Sequence, residues 1–91
     1  QVANIAFHDV RGRVAATLLK LAKQYGASSA QGTAIDIELT HNDLASLVNA
    51  SRVMVSNVIG GLRQDGVIAT KDRRFIILNA EALASALENL A

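Results

Sequence analysis

The hydrophobic positions near the start of the chain recur at the spacing of an amphipathic helix. Asp9 precedes them as a capping residue, and Gly26 follows them as a residue that commonly ends helices. The pattern predicts a first helix between these two positions. Its apolar stripe has successive spacings of four, four and three residues: Val10, Val14, Leu18 and Leu21.

A loop and a strand are predicted next. Residues 26–32 (GASSAQG) are small and polar, which is typical of an exposed loop. Residues 34–39 (AIDIEL) alternate apolar and acidic side chains. This period of two predicts a short, half-buried strand.

Two helices joined by a tight turn follow the strand. Thr40 with Asp43 forms a capping-box pattern that opens a helix of about two turns. Asn49 tolerates the left-handed backbone of a tight helix end, and Ser51 caps a new helix that runs to about Asp65. The two helices are expected to touch through apolar residues and one small residue: Leu44, Leu47, Val48, Val55, Val58 and Ala45.

A hairpin and a last helix complete the chain. Gly66 ends the third helix, and two β-rich runs, VIAT (67–70) and RFIIL (74–78), flank a charged tip. Asn79 caps a final helix. The order of elements predicts an α+β, mainly α fold: a winged helix-turn-helix with a three-helix core, a β-hairpin wing and a C-terminal helix. The apolar stripe of the final helix is Leu83, Leu87 and Leu90.

The helix from Ser51 has two distinct faces when its residues are placed about 100° apart. No acid lies on its outward face before Asp65, so this face can approach phosphates. Gly60 and Gly61 each cost about 1 kcal/mol relative to alanine in a helix, and we hypothesise that they permit close backbone packing or a kink. The inward face is Val55, Val58, Ile59 and Leu62, and the outward face is Arg52, Val53, Ser56, Asn57 and Gly60.

Composition narrows the classes of function. Ninety-one residues, of which 51% are apolar and 19% charged, predict one folded domain. The sequence contains no cysteine, so it predicts a cytoplasmic protein without a disulfide. No apolar run approaches the roughly 20 residues of a membrane span, so no membrane partner is expected. His8 and His41 lack neighbouring ligands, so no metal site is expected. No nucleophile, base and orienting residue converge, so the chain is not expected to be an enzyme.

The net charge of +1 is unevenly distributed. Residues 40–78 contain five basic and three acidic side chains, a mild bias that favours nucleic-acid binding. Arg52 suits guanine O6 and N7, Asn57 suits adenine or a phosphate, and Val53 suits a thymine methyl group, with Ser56 on the same face. Phosphate contacts are expected from the following residues: Asn42, Ser51, Lys71, Arg73 and Arg74.

These residues resemble the C-terminal DNA-binding domain of bacterial Crp/Fnr transcription regulators over nearly the whole chain. The segments AFHDVRGRVAATLLKLA and LTHNDLASLVNASRVMVSNVIGGLRQDGVI carry the resemblance, together with the ending from Asn79 to Ala91. It implies that residues 1–91 belong to a longer regulator that binds a palindromic operator as a homodimer. An upstream sensor domain would take an effector such as a cyclic nucleotide, so no cofactor is expected in this domain. The loop 26–32 lies where some members contact RNA polymerase.

The chain departs from the family at positions that read bases. Many members begin the recognition helix with Ser-Arg-Glu-Thr, whereas Val53 and Met54 replace the last two residues here, and Asn57 replaces a frequent second arginine. The operator therefore cannot be inferred from the family. A winged helix used for protein–protein contacts is the alternative function, because the fold also serves as an interaction scaffold.

Overall fold

The computed structural model describes residues 2–89, and it confirms the predicted winged helix-turn-helix. Within this range, four helices surround one apolar core, and a four-stranded antiparallel sheet closes one side of it. The helices are α1 (Val2–Tyr25), α2 (His41–Val48), α3 (Arg52–Gln64) and α4 (Ala80–Ser85), which continues as a 3-10 turn (Ala86–Asn89). The strands are β1 (Gly26–Ser28), β2 (Thr33–Ile35), β3 (Ile68–Lys71) and β4 (Arg74–Ile77).

Helix α1 begins earlier than predicted. Asp9 lies inside the helix rather than at its cap, and its Oδ2 is 3.1 Å from Nε of Arg13 one turn later. Phe7 extends the apolar stripe by three residues before Val10 and packs against the core. The hydrophobic face therefore continues past Asp9, and the helix continues with it.

The signals that delimit α2 and α3 act as predicted. Thr40 and Asp43 form a reciprocal capping box, with N–H to oxygen distances of 2.9 Å in both directions. Asn49 adopts the left-handed conformation with φ 56°, and Ser51 Oγ accepts a hydrogen bond from the Met54 N–H. The two helices therefore meet across a turn of three residues, numbers 49 to 51.

The sheet is larger than the predicted hairpin. Strand β2 pairs with β4 as well as with β1, giving the order β1-β2-β4-β3, so residues 26–28 form a strand instead of part of a loop. Strand β2 is also shorter than predicted, because the Ile37 N–H donates back to the Ile35 carbonyl at 2.9 Å and turns the chain. Ile37 and Leu39 nevertheless pack against the core from beyond the strand.

The core confirms the inward face of α3 but not all of the predicted contacts of α2. Leu44 is fully buried, whereas Leu47 is 59% exposed, so the prediction that Leu47 faces α3 is wrong. Of the predicted stripe of the last helix, Leu83 is buried, Leu87 packs against the core and Leu90 lies outside the described residues. The buried residues of α3 are the four predicted ones: Val55, Val58, Ile59 and Leu62. Within residues 2–89, every helix is too short or too polar to cross a membrane.

Gly60 does not serve close packing. Helix α3 runs through both glycines, and a methyl group at Gly60 would meet no atom within 4 Å, whereas one at Gly61 would lie 3.5 Å from Nη1 of Arg11. The close-packing hypothesis is therefore wrong at Gly60.

The substitution Gly60→Ala is expected to raise the free energy of unfolding by about 1 kcal/mol, because alanine restricts the unfolded backbone and favours the helix. Urea denaturation measures this change. Gly66→Ala is the matched control: Gly66 has φ 73°, where a side chain is strained, so the same substitution should destabilise the fold. A loss of stability in Gly60→Ala would contradict the assignment of open space at this position.

Candidate nucleic-acid interface

The first two turns of α3 present polar and apolar side chains to solvent. Arg52 and Asn57 are exposed, and Val53 is 63% exposed although it is aliphatic. Ser51 Oγ accepts a hydrogen bond from the Met54 N–H at 3.1 Å, which leaves its own O–H free to donate. The start of α3 therefore exposes a guanidinium group, an amide, a hydroxyl and an aliphatic side chain on one surface.

A hydrogen bond joins the start of α2 to the outward face of α3. His41 Nδ1 lies 2.8 Å from Ser56 Oγ, and both side chains are half-buried. Asn42 is exposed beside His41 in the first turn of α2. Ser56 is thus on the predicted face but already engaged, and this contact fixes the orientation of the His41 ring.

The wing is closed by a tight two-residue turn. Asp72 and Arg73 have φ values of 54° and 64°, which is the backbone of a type I′ hairpin turn, and Lys71 pairs with Arg74 across the strands. The left-handed conformation is unfavourable for arginine. It holds the exposed Arg73 at the tip of the wing, beside the exposed Lys71.

The predicted phosphate-contacting cations differ in their electrostatic surroundings. Arg74 Nε lies 3.1 Å from Asp36 Oδ1, and its Nη1 lies 4.0 Å from Glu38 Oε2. By contrast, Lys71 and Arg73 form no ion pair with any acid of the described residues, and the same holds for Arg52. Within that part of the chain, the structure therefore leaves two unpaired cations on the wing and one at the start of α3.

A cleft of about 350 Å³ separates α3 from the wing, and basic side chains line it. Arg63 is the functional candidate that the sequence reasoning missed. It follows Arg52 by eleven residues, which places it only about 20° away around the helix and three turns further along, so the helical period could have identified it. The cleft is lined by residues of four segments: Glu38, Leu39, Thr40, His41, Arg63, Thr70, Arg73, Arg74 and Phe75.

The described residues contain no cluster of three or more histidine, cysteine or acidic side chains that could hold a metal ion. His41 is hydrogen-bonded to Ser56. The chemistry that the surface offers is hydrogen bonding and positive charge.

Comparison with known proteins identifies the family to which this fold belongs. A family model of the Crp-like helix-turn-helix domain matches residues 12–86, which include α2, α3 and the whole wing. The chain belongs to the Crp-like helix-turn-helix family. The predicted family is thereby confirmed.

Relatives of this Crp-like domain are transcription regulators by name. The global nitrogen regulator of Synechococcus elongatus is 31% identical over 83 residues, which are 91% of this chain and 37% of that protein. The CRP-like cAMP-activated global transcriptional regulator of Mycobacterium tuberculosis is 34% identical over 83 residues, with the same coverage of 91% and 37%. A transcriptional regulator of the CRP family from Thermus thermophilus superposes with a TM-score of 0.79 at 30% identity, over 99% of this chain and 48% of that one. The Crp-like domain thus spans less than half the length of these relatives.

Proposed function

We propose that this Crp-like domain binds double-stranded DNA with the start of α3 in the major groove and the wing against the phosphate backbone. The observation that carries the proposal is the outward face of α3. It is free of acids, exposes Arg52 in its first turn, and continues into a cleft that contains Arg63 and Arg73. A helix of this kind fits the width of the major groove, and the adjacent cations fit the phosphates on either side.

Three side chains at the start of α3 are proposed to read bases. Arg52 can donate two hydrogen bonds to O6 and N7 of one guanine. Val53 is exposed and apolar, so it suits a thymine methyl group, and Asn57 suits adenine or a phosphate. The geometry supports these roles because all three side chains are exposed on one surface.

The phosphate contacts are proposed to come from side chains around that surface. Ser51 retains a free hydroxyl donor, and Asn42 is exposed at the start of α2. Lys71 and Arg73 supply positive charge from the wing that no acid of residues 2–89 pairs with. Ser56, bonded to His41, is proposed to orient the imidazole beside the DNA backbone and not to read a base.

One copy of the domain carries few unpaired cations among its described residues, so its binding is expected to be weak. We propose that the complete regulator binds a palindromic operator as a homodimer, with half-sites about one helical turn apart. An effector such as a cyclic nucleotide is proposed to bind elsewhere in the regulator; the Mycobacterium tuberculosis relative is cAMP-activated by name. The exposed strand β1 and its turn to β2 are proposed as a contact for RNA polymerase.

The salt dependence of DNA binding tests the proposed function. The expected size of the effect is set by four basic side chains of α3 and the wing that have no ion-pair partner among residues 2–89: Arg52, Arg63, Lys71 and Arg73. They predict that the logarithm of the association constant falls with the logarithm of salt concentration with a slope of about −3 to −4. Fluorescence anisotropy with a labelled duplex of random sequence, between about 50 and 200 mM salt, measures this slope. A slope near zero would contradict DNA binding and favour the alternative, a protein–protein interaction module.

A matched pair of lysine variants separates a defined interface from general charge. Lys71→Gln in the wing is expected to reduce the magnitude of the slope by about 0.9, which corresponds to one phosphate. Lys23→Gln removes the same charge from the exposed end of α1, which does not line the cleft, and is expected to leave the slope unchanged. Equal effects of the two variants would contradict the proposed orientation on DNA.

A further inference from the structure

Arg74 differs from the other basic residues of the wing because three acceptors surround its guanidinium group. Its Nε donates to Asp36 Oδ1 at 3.1 Å, and its Nη1 donates to the carbonyl of Asp72 at 3.2 Å. Glu38 Oε2 lies 4.0 Å from the same Nη1. The guanidinium group thus bridges the wing turn and the segment that follows β2.

The charges at this bridge do not balance. One guanidinium group faces two carboxylates, and both acids are largely exposed, with 69% of the Asp36 side chain and 59% of the Glu38 side chain accessible. The net charge of these three side chains is negative, and two of them, Glu38 and Arg74, line the cleft that also contains Arg63 and Arg73. A DNA phosphate that approaches Arg74 therefore meets two like charges and an arginine that already donates two hydrogen bonds within the protein.

We propose that Asp36 and Glu38 hold Arg74 as a brace for the wing and thereby limit the affinity of this domain for DNA. In this arrangement Arg74 is a positioning residue for the wing turn and not a phosphate contact. Lys71 and Arg73 remain the phosphate-contacting cations of the wing. The inference rests on the proposed function and refines it: it identifies a pair of acids that attenuate binding to any duplex, irrespective of sequence.

The geometry explains why Arg74 alone of the wing cations is recruited. Arg74 is the first residue of β4, and β4 pairs with β2, whose continuation carries both acids. Lys71 precedes the turn and Arg73 is its second residue, and neither has an acid within ion-pair distance among the described residues. The register of the sheet therefore selects which cation is neutralised.

The double variant Asp36→Asn with Glu38→Gln tests the inference. Removal of both acids frees the guanidinium group, so the affinity for a random-sequence duplex is expected to rise and the salt slope to become steeper by about 0.9, which makes the gain about threefold larger at about 50 mM than at about 200 mM salt. The same fluorescence anisotropy titration measures both quantities. An unchanged slope and affinity in the double variant would overturn the inference.

The addition of Arg74→Gln to the double variant distinguishes release of Arg74 from simple loss of repulsion. If Arg74 is the group released, the triple variant returns to the slope of the unmodified chain; if the triple variant keeps the steeper slope, the inference is overturned. Glu81→Gln, an exposed acid in the first turn of α4, is the matched control and is expected to have no effect. If the unmodified chain shows no salt-dependent binding, the proposed function itself fails. If it binds but the double variant gains nothing, only the brace is wrong.

Discussion

Replacing Arg52 with alanine is expected to lower the affinity of the Crp-like domain for its specific DNA site by about 5- to 150-fold, equivalent to about 1 to 3 kcal/mol. Arg52 is exposed in the first turn of α3, where a guanidinium group can donate to both acceptors of one guanine. The loss should be accompanied by relaxed preference at that base pair. Affinity for unrelated DNA should fall much less, because on such DNA the substitution removes only one positive charge near the phosphate backbone.

The measurement needs a site selected from a random duplex library, followed by titration of that site and of duplexes with the guanine replaced. Arg63→Ala is the matched control, since it removes the same side chain from nearly the same face, three turns further along α3. We expect its effect to be equal across all sequences, as for a phosphate contact. If Arg52→Ala weakened selected and unrelated duplexes by the same factor, Arg52 would not be a base reader.

Leu44→Ala is expected to lower the free energy of unfolding by about 2 to 5 kcal/mol, because Leu44 is completely buried between α2 and the rest of the core. Leu47→Ala makes the same chemical change one turn later, at a side chain that is 59% exposed, and should change stability by less than about 0.5 kcal/mol. A loss of this size at Leu44 is a large part of the stability of a typical small domain.

Urea denaturation monitored by circular dichroism compares the two leucine variants directly. The pair is informative because both residues lie on α2 and both were expected, from the sequence, to face α3. Equal destabilisation of the two variants would show that Leu47 is buried in solution and would restore the sequence-based prediction.

Signals that act within a few residues were predictable from the sequence. The Thr40–Asp43 capping box, the left-handed Asn49 and the Ser51 cap each form bonds or conformations within three positions along the chain. Their chemistry is complete without any other part of the fold. For the same reason, the helical period separated the buried face of α3 from the face that carries Arg52.

Features that depend on a neighbour distant in the sequence were not predictable. Residues 26–28 by themselves have the composition of a loop, but they form strand β1 by pairing with β2, which pairs on its other side with β4. Leu47 lies at a position that suits burial, yet no element within residues 2–89 covers it. A period in the sequence shows which residues share a face, but only packing shows whether that face has a partner.

The sequence by itself determined that this chain forms a winged helix-turn-helix whose third helix is capped by Ser51 and presents Arg52, because caps and helical periods are local. The tertiary structure decided how the charges around that helix are used. It bonded His41 to Ser56, added Arg63 to the cleft, and paired Arg74 with Asp36 across 38 positions of the chain. Those contacts arise from sheet register and helix packing, and they pair Arg74 with acids while Lys71 and Arg73 have no ion-pair partner among the described residues.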